Sequence, residues 1–471
     1  MPAPERTLSR GVVTRYAIGS IGTGGFATLP GLVLVYYLTD TLGVAALAAG
    51  AVVTAAKVWD VVIDPWIGGR SDRALATSGS RRRGMLIGAI GLPIGFALTF
   101  AVVPGLGPVA SGLWVFLAFL ATATCFSLFQ VPYIALPAEL TRGYDERTRL
   151  LTWRVVVLTV AILLFGAGGP ELRGAFGDEH LGYLVMAVVA GLAIGAGMLV
   201  ATTIAPRRAG LPAAGAPAPE PAAGGSAGGA LAGYREGFAA LRRSAPFRAL
   251  LGAFVLQGLA TGLMLAGAQF VATWVLRDEQ AVTLLFVSLI APAVLVTPLW
   301  QLVAKRIGKE RGFVAASVLF ALAATSMVAL VWAPGAWVYA PVAVAGAAYA
   351  GMQSLPMAML PDVISHDARR SGLDRAGSFG GVWTAGETAG MALGATVLTI
   401  VLALTGYLES TAGVTVQQPD SAVAGIAIAF SIVPAVLVAA SLVSLRGYRL
   451  RREDIDDDAG AALAGEERTT A

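Results

Sequence analysis

The sequence predicts an all-α membrane protein, with twelve transmembrane helices in two six-helix bundles. Composition is the first reason: of 471 residues, 56% are hydrophobic and 13% charged, at a mean hydropathy of +0.73, whereas soluble domains carry about 25% charged residues. The second is the recurrence of apolar runs, each long enough to cross roughly 30 Å of hydrocarbon as a helix. The third is a mid-chain stretch of Ala, Gly and Pro that parts six runs from six.

In the first half the runs are Val12 to Leu38, Val44 to Ile67, Met85 to Val103, Gly112 to Leu136, Leu150 to Ala167 and Leu181 to Ile204. In the second they are Phe247 to Leu276, Val282 to Val303, Phe313 to Trp332, Trp337 to Met359, Ser378 to Leu404 and Ala422 to Leu445. Residues 1–205 make the first bundle in this reading and 247–446 the second. Residues 206–246 are a cytoplasmic linker: Gly210 to Gly233 cannot bury enough surface to fold alone. Tyr234 to Arg243 alternate apolar and basic positions with helical period, as an amphipathic helix on a membrane surface does. Residues 447–471, acidic and Ala-rich, read as a disordered cytoplasmic tail.

Basic residues gather in alternate loops: Arg70, Arg73, Arg81, Arg82 and Arg83; Arg142, Arg147 and Arg149; Lys305, Arg306, Lys309 and Arg311; Arg369, Arg370 and Arg375. The loops between these are poor in Lys and Arg and hold Asp40, Glu171, Asp178, Glu179, Glu409 and Asp420. The positive-inside rule then places both termini in the cytoplasm, in a multi-pass protein of the cell (inner) membrane. The formal net charge of +4 is accordingly an orientation signal and not a nucleic-acid footprint. No small-residue cleavage site closes the first run, so that span is expected to be retained. A lone Cys125 excludes an intramolecular disulfide and reads as a small buried hydrophobe. His366, in a loop after the tenth span, and His180, on the opposite side, suggest no metal site. No Walker loop, dinucleotide fingerprint or nucleophile elbow is found, so neither an enzyme nor a cofactor is expected; Gly-x-x-x-Gly spacings in apolar runs are packing signals.

Three full charges stand inside the second run. Lys57, Asp60 and Asp64 fall at i, i+3 and i+7 of a helix and share a face, with Gly68 continuing the line. An ionised side chain at bilayer depth costs roughly 2.5–3.5 kcal/mol on the insertion scale, so such groups line an interior cavity and mark function. Gly68-x-x-x-Asp72-Arg73 follows that span, and a partial counterpart, Ala304 to Lys309, follows the eighth. In this reading the glycine permits close helix approach, and the acid and base pair across helix ends to latch one conformation. Six spans, a linker and six spans is the layout of transporters whose halves rock about a central site. With the loop motif it resembles the major facilitator superfamily.

Lys57-Val58-Trp59-Asp60-x-x-x-Asp64-Pro65-x-x-Gly68 resembles the second-helix signature of the glycoside–pentoside–hexuronide:cation symporters, the family of the melibiose carrier. Further matches are Pro132-Tyr133-x-Ala135-Leu136-x-Ala138-Glu139-Leu140, Glu146-Arg147-Thr148-Arg149-Leu150 leading to Arg154, and Leu360-Pro361-Asp362-Val363-Ile364 with Arg375 downstream. The resemblance implies the major facilitator fold and cation-coupled transport. Asp60 and Asp64 would bind the coupling ion, with Lys57 and Ser127 beside them. Arg154 would lie near the substrate, with Gln130, Tyr133, Trp383 and Gly24 at other substrate-side positions.

The departures from the pattern also carry information. Gly24 stands where the family usually has Asp, and Ile134 where it has an aromatic, while Gln130 keeps a polar group at an acidic or amide position. Sugars are gripped by carboxylates, amides and stacking rings, so these losses point to a less polar substrate, with Gly24-Gly25 leaving room for a bulkier one. Ile63 replaces an amide of sodium-coupled relatives, although Ser127 retains a hydroxyl on the facing helix. In the eleventh span Glu387, within Trp383-Thr384-Ala385-Gly386-Glu387, stands where the family commonly has Lys. Lys57 and Arg154 are then outnumbered by Asp60, Asp64 and Glu387, an imbalance that a shared proton resolves. The expectation is a cation-coupled symporter, proton favoured over sodium, carrying a small organic solute such as a sugar or glycoside by alternating access. The alternative is a proton-driven exporter or carrier of an amphiphilic, drug-like or lipid-like compound. Partners are the solute, the coupling cation and the bilayer, with no nucleic acid, and the chain is expected to act as a monomer.

Overall fold

The computed structural model describes residues 8–141, 144–205, 241–371, 376–414, 416–448 and 450. Most of the linker and the tail after 450 lie outside these, as do Arg142 and Arg375. The first span is α1 (Arg10–Ile18) and α2 (Ser20–Tyr36), closed by a wider π-type turn, Tyr37–Thr41. Then come α3 (Ala46–Ser78), α4 (Arg82–Phe100), α5 (Pro108–Leu140), α6 (Tyr144–Gly174) and α7 (Glu179–Thr202). The second half runs α8 (Ala245–Phe270) with a second wide turn, Val271–Val275, then α9 (Ala281–Ile307), α10 (Lys309–Ser326), α11 (Tyr339–Ser371) and α12 (Ala376–Leu404). The last span is α13 (Asp420–Phe430) with α14 (Ile432–Leu445). Among the described residues eleven of these stretches are long and apolar enough to cross a membrane; α11, 33 residues long, is not one of the eleven. The protein is a multi-pass membrane protein.

Several helices overrun the apolar limits read from the sequence. α3 continues past Ile67 to Ser78 and ends at Gly79, whose φ of 67° suits a glycine and whose N–H donates to Leu75 O at 2.9 Å. Gly68-x-x-x-Asp72-Arg73 is therefore the last turns of a helix and not a loop. His366 likewise lies on α11, not in a loop after it. The cause is simple: hydropathy falls where water begins, but Ala, Arg and Ser propagate a helix well beyond that depth.

The chain divides into two compact units. Unit 1 holds Met1–Ala232 with Leu265–Val287 and Ala395–Ile426; unit 2 holds Gly233–Met264, Ser288–Gly394 and Ala427–Ala471. Within each, small residues set the helix crossings, as they do where lipid removes the hydrophobic drive to associate. In unit 1 a Cβ on Gly95 would meet Thr122 Oγ1 at 2.6 Å and one on Gly91 would meet Cys125 Sγ at 2.6 Å, so α4 lies tight on α5 and half-buried Cys125 fills the crossing. In unit 2 a Cβ on Gly346 of α11 would run into the Leu289 carbonyl of α9, and one on Gly390 of α12 would sit 2.7 Å from Val255 O of α8.

Gly346→Ala forces backbone apart and is expected to cost about 1–3 kcal/mol through overpacking, seen as a lower melting temperature in detergent. Gly68→Ala, whose new Cβ would make an ordinary 3.7 Å contact with Val131, should melt like the parent. Equal melting of both variants and parent would count against this account of the crossings.

Candidate transport site

The carboxylate pair is built on one face of α3, read against α5 in a parallel register. Trp59 Nε1 donates to Thr124 Oγ1 at 2.9 Å. The Ser127 hydroxyl, three residues on, engages the Asp64 carboxylate. Val131, four further, faces Gly68. Asp60 is only 9% exposed, and its Oδ2 takes Lys57 Nζ at 3.2 Å. Asp60 Oδ1 and Asp64 Oδ1 are both buried without a hydrogen-bond partner among the described residues. Pro65 sits within the helix and has no N–H, so the Val61 carbonyl loses its i+4 donor. One cation against two carboxylates, with acceptor atoms uncommitted, is a place where a small cation or a proton is at home.

Arg154 of α6 is half-buried, its guanidinium 5.7 Å from the Tyr133 ring centroid and its Nε without a partner among the described residues. It does not snorkel away from the bundle. Tyr133 is fully buried between Tyr16 at 4.8 Å and Phe129 at 5.1 Å, and its hydroxyl donates to Tyr16 O at 2.7 Å and pairs with Ser20 Oγ at 2.9 Å. This ring is thus enclosed, and what it offers the site is a fixed platform for Arg154. Gln130 Oε1 accepts from Thr23 Oγ1 at 2.8 Å, which leaves its amide N–H groups toward other acceptors. Gly24 corrects an expectation. A Cβ there would lie 2.8 Å from Ala161 Cβ and 2.9 Å from Leu158 O, so the room it leaves is taken by α6 and not by a bulkier ligand.

Glu387 belongs to unit 2. Its helix, α12, turns the line Gly386, Gly390 and Gly394 onto α8, which sets Trp383 and Glu387, one turn apart, on the adjoining line. Trp383 is 2% exposed and stacked on Phe254 at 4.3 Å, with Nε1 unpartnered among the described residues. Half-buried Glu387 lies near the Tyr349 hydroxyl, which accepts from Gln353 Nε2 at 2.7 Å.

Asp72 and Arg73 are not paired with each other. Asp72 Oδ1 pairs with Arg81 Nη2 at 2.6 Å, and the same guanidinium reaches Glu139 and Ser71 Oγ. Arg73 instead donates Nε to Gly69 O of its own helix at 3.3 Å. Residue 73 is too close in sequence to bend back on Asp72, whereas Arg81 enters from the start of α4. In unit 2, Lys309 Nζ meets Asp362 Oδ2 at 2.6 Å and Ala358 O at 3.0 Å. The two ties repeat one plan: a base at the start of a span meets an acid just past a proline, Pro137 or Pro361, at the end of the next. The sequence carries that repetition as Leu136-Pro137-x-Glu139 and Leu360-Pro361-Asp362.

A family model of MFS/sugar transport proteins matches residues 15–452. The chain belongs to this family. It is a major facilitator transporter, and the resemblance to the glycoside–pentoside–hexuronide:cation symporters holds across it, which makes it a cation-coupled solute transporter and not an enzyme. Among relatives, an uncharacterized symporter of Synechocystis sp. is 23% identical, covering 93% of both chains. A glucuronide carrier protein homolog of Escherichia coli is 25% identical over 95% of this chain and 94% of its own. The fold matches the crystal structure of a D-xylose-proton symporter with a TM-score of 0.64, at 12% identity over 93% of this chain and 98% of that one.

For this facilitator, Arg81→Ala strips a partner from both Asp72 and Glu139 and is expected to lower stability by about 1–2 kcal/mol, a half-exposed pair being partly screened. Arg73→Ala loses one intrahelical bond and should cost less than half of that. Thermal melts of the two variants check the order.

Proposed function

We propose that the protein imports a sugar or glycoside together with a proton. The observation that carries the coupling is the Asp60–Asp64 pair: two carboxylates share one lysine, and each keeps a buried oxygen without a partner among the described residues. A sodium ion wants several oxygens around it, and Ile63 contributes none, whereas a proton needs a single carboxylate oxygen. Glu387 is the third carboxylate in the exchange, set near the Tyr349–Gln353 pair in the half opposite in sequence. Arg154, steadied by Tyr133, and Gln130 supply hydrogen-bond donors suited to the oxygens of a sugar or a sugar acid. The names of the relatives, a symporter and a glucuronide carrier homolog, support a sugar-like solute and the inward direction. The basic loops support a cytoplasmic location for both termini in the cell membrane.

Uptake into proteoliposomes, with sodium and pH gradients imposed separately, tests this. Asp60→Asn and Asp64→Asn are expected to abolish uphill accumulation while retaining solute exchange, and Glu387→Gln to lose the pH dependence of net transport. Solutes are first found by thermal shift against sugars, glucuronides and glycosides, since a ligand of the folded state raises its melting temperature. Accumulation driven by sodium alone at fixed pH, undiminished in Glu387→Gln, would sink the proton reading.

The orientation has its own check. In intact cells a membrane-impermeant thiol reagent should label Thr411→Cys and spare Ser80→Cys; the reverse pattern would invert the topology.

A further inference from the structure

At the end of unit 1 away from the N-terminus, the chain is tied to itself across long separations in sequence. The wide turn Tyr37–Thr41 carries Asp40, 5% exposed. Asp40 Oδ2 accepts from Thr39 Oγ1 at 2.6 Å, and Oδ1 accepts from the Tyr407 hydroxyl, 367 positions on. Burial, and then the carboxylate beside it, push the Tyr407 phenol far above its usual range, so it keeps its proton and is the donor.

The main chain is joined at the same place. Ser410 N–H donates to Thr39 O and Ala412 N–H to Thr41 O, both at 3.0 Å, which sets Leu42 and Thr411 opposite each other as an antiparallel pair. Gly43, with φ of 65°, takes the chain out of the pairing through a conformation that L side chains avoid. The first turn of α3 then needs acceptors, and its N-cap residue, Ala45, has none to give. Glu409 Oε1 fills the role, accepting Ala46 N–H at 2.8 Å from 363 residues away. A second tie lies alongside. Arg173, 6% exposed, reaches Glu279 Oε2 at 3.2 Å and Tyr183 Oη at 2.9 Å, with its guanidinium over the rings of Tyr36 and Tyr183.

Apart from Thr39 on Asp40 and Arg173 on Tyr183, which lie within the first six spans, these ties join the first six spans to a segment from the second six: the turn after α8 or the segment between α12 and α13. Their polar part is hydrogen bonds and one ion pair, whose partners water can replace; beside it the Tyr407 ring packs on Phe270 at 5.6 Å and on Trp274 at 6.3 Å, and Tyr36 on Phe270 at 5.2 Å. Wide turns of this type recur at functional positions, and one stands on each side of the contact, at Tyr37–Thr41 and at Val271–Val275.

We propose that this clasp is the far-side gate of the transport cycle, held by Asp40 and Tyr407 and opened when residues 39–42 part from 410–412. The proposal rests on the transporter reading above. Tyr407 acts here as a positioning residue, with no part in holding the solute.

The test uses the full chain in membrane vesicles. In a Cys125→Ser background, Leu42→Cys and Thr411→Cys replace the opposed pair. The pair itself exchanges no main-chain hydrogen bond, the in-register bond beside it being Ala412 N–H to Thr41 O, and such a pair has Cα atoms roughly 4.5 Å apart, inside the span of a disulfide. Gln130→Cys is added as a reporter of access, alkylated by an impermeant maleimide from the far side and read at residue 130 by mass spectrometry. Oxidation is expected to cross-link the pair and bring alkylation at 130 to background, and reduction to restore it. Without the lock, Tyr407→Phe should raise alkylation several-fold. Thr39→Val, which removes another donor to Asp40 but lies in the same turn, should not. A cross-link that forms and leaves residue 130 as reactive as before overturns the gate, as does an unchanged rate in Tyr407→Phe; failure of the two cysteines to oxidise overturns the pairing it depends on. None of these readouts involves a solute, so a sugar panel that yields no ligand counts against the transport reading alone.

Discussion

A full charge in hydrocarbon has to be answered by protein, and the structure is organised around those answers. Lys57 answers Asp60, the Tyr133 ring lies under Arg154, and Glu279 with Tyr183 meets Arg173. Each pairing joins or stiffens particular helices, so the cost of burying charge also fixes which helices sit together. The atoms left over are informative for the same reason. Asp60 Oδ1, Asp64 Oδ1 and Arg154 Nε are buried in unit 1 without partners among the described residues, and an uncompensated polar atom at that depth is kept only where something else meets it.

The two sequence halves reuse a small set of devices. A base opening α4 or α10 ties to an acid beyond a proline at the end of α5 or α11, through Arg81–Glu139 and Lys309–Asp362. The first and seventh spans both end in a wide turn. Glycine lines close the crossings, α4 on α5 in unit 1 and α12 on α8 in unit 2. Rigid crossings of small residues and exchangeable polar ties at helix ends suit a machine whose packed cores stay whole while its ends make and break contact.

Much of this was legible beforehand. Twelve apolar runs had to be twelve helices, because only helices or closed barrels satisfy every backbone group in lipid. The shared face of Lys57, Asp60 and Asp64 follows from helical period alone, and the Lys57–Asp60 ion pair and Ser127 on Asp64 lie where that period and the facing helix put them. Arg173 stands out in the sequence as one of two arginines, with Arg277, on a side otherwise poor in Lys and Arg.

What the chain could not disclose by itself is partnership between distant positions. Hydropathy and period are local, whereas Tyr407 finds Asp40 across 367 residues and Glu409 caps α3 across 363. The same limit explains Arg81 taking the place that Arg73 held in the sequence reading, and α6 filling the space beside Gly24. Sequence alone determined which segments cross the membrane and which of their residues are too costly to bury unanswered. Only the tertiary structure decided which partner answers each of them, because that depends on where separate helices bring their side chains together, a matter of packing geometry that no local pattern encodes.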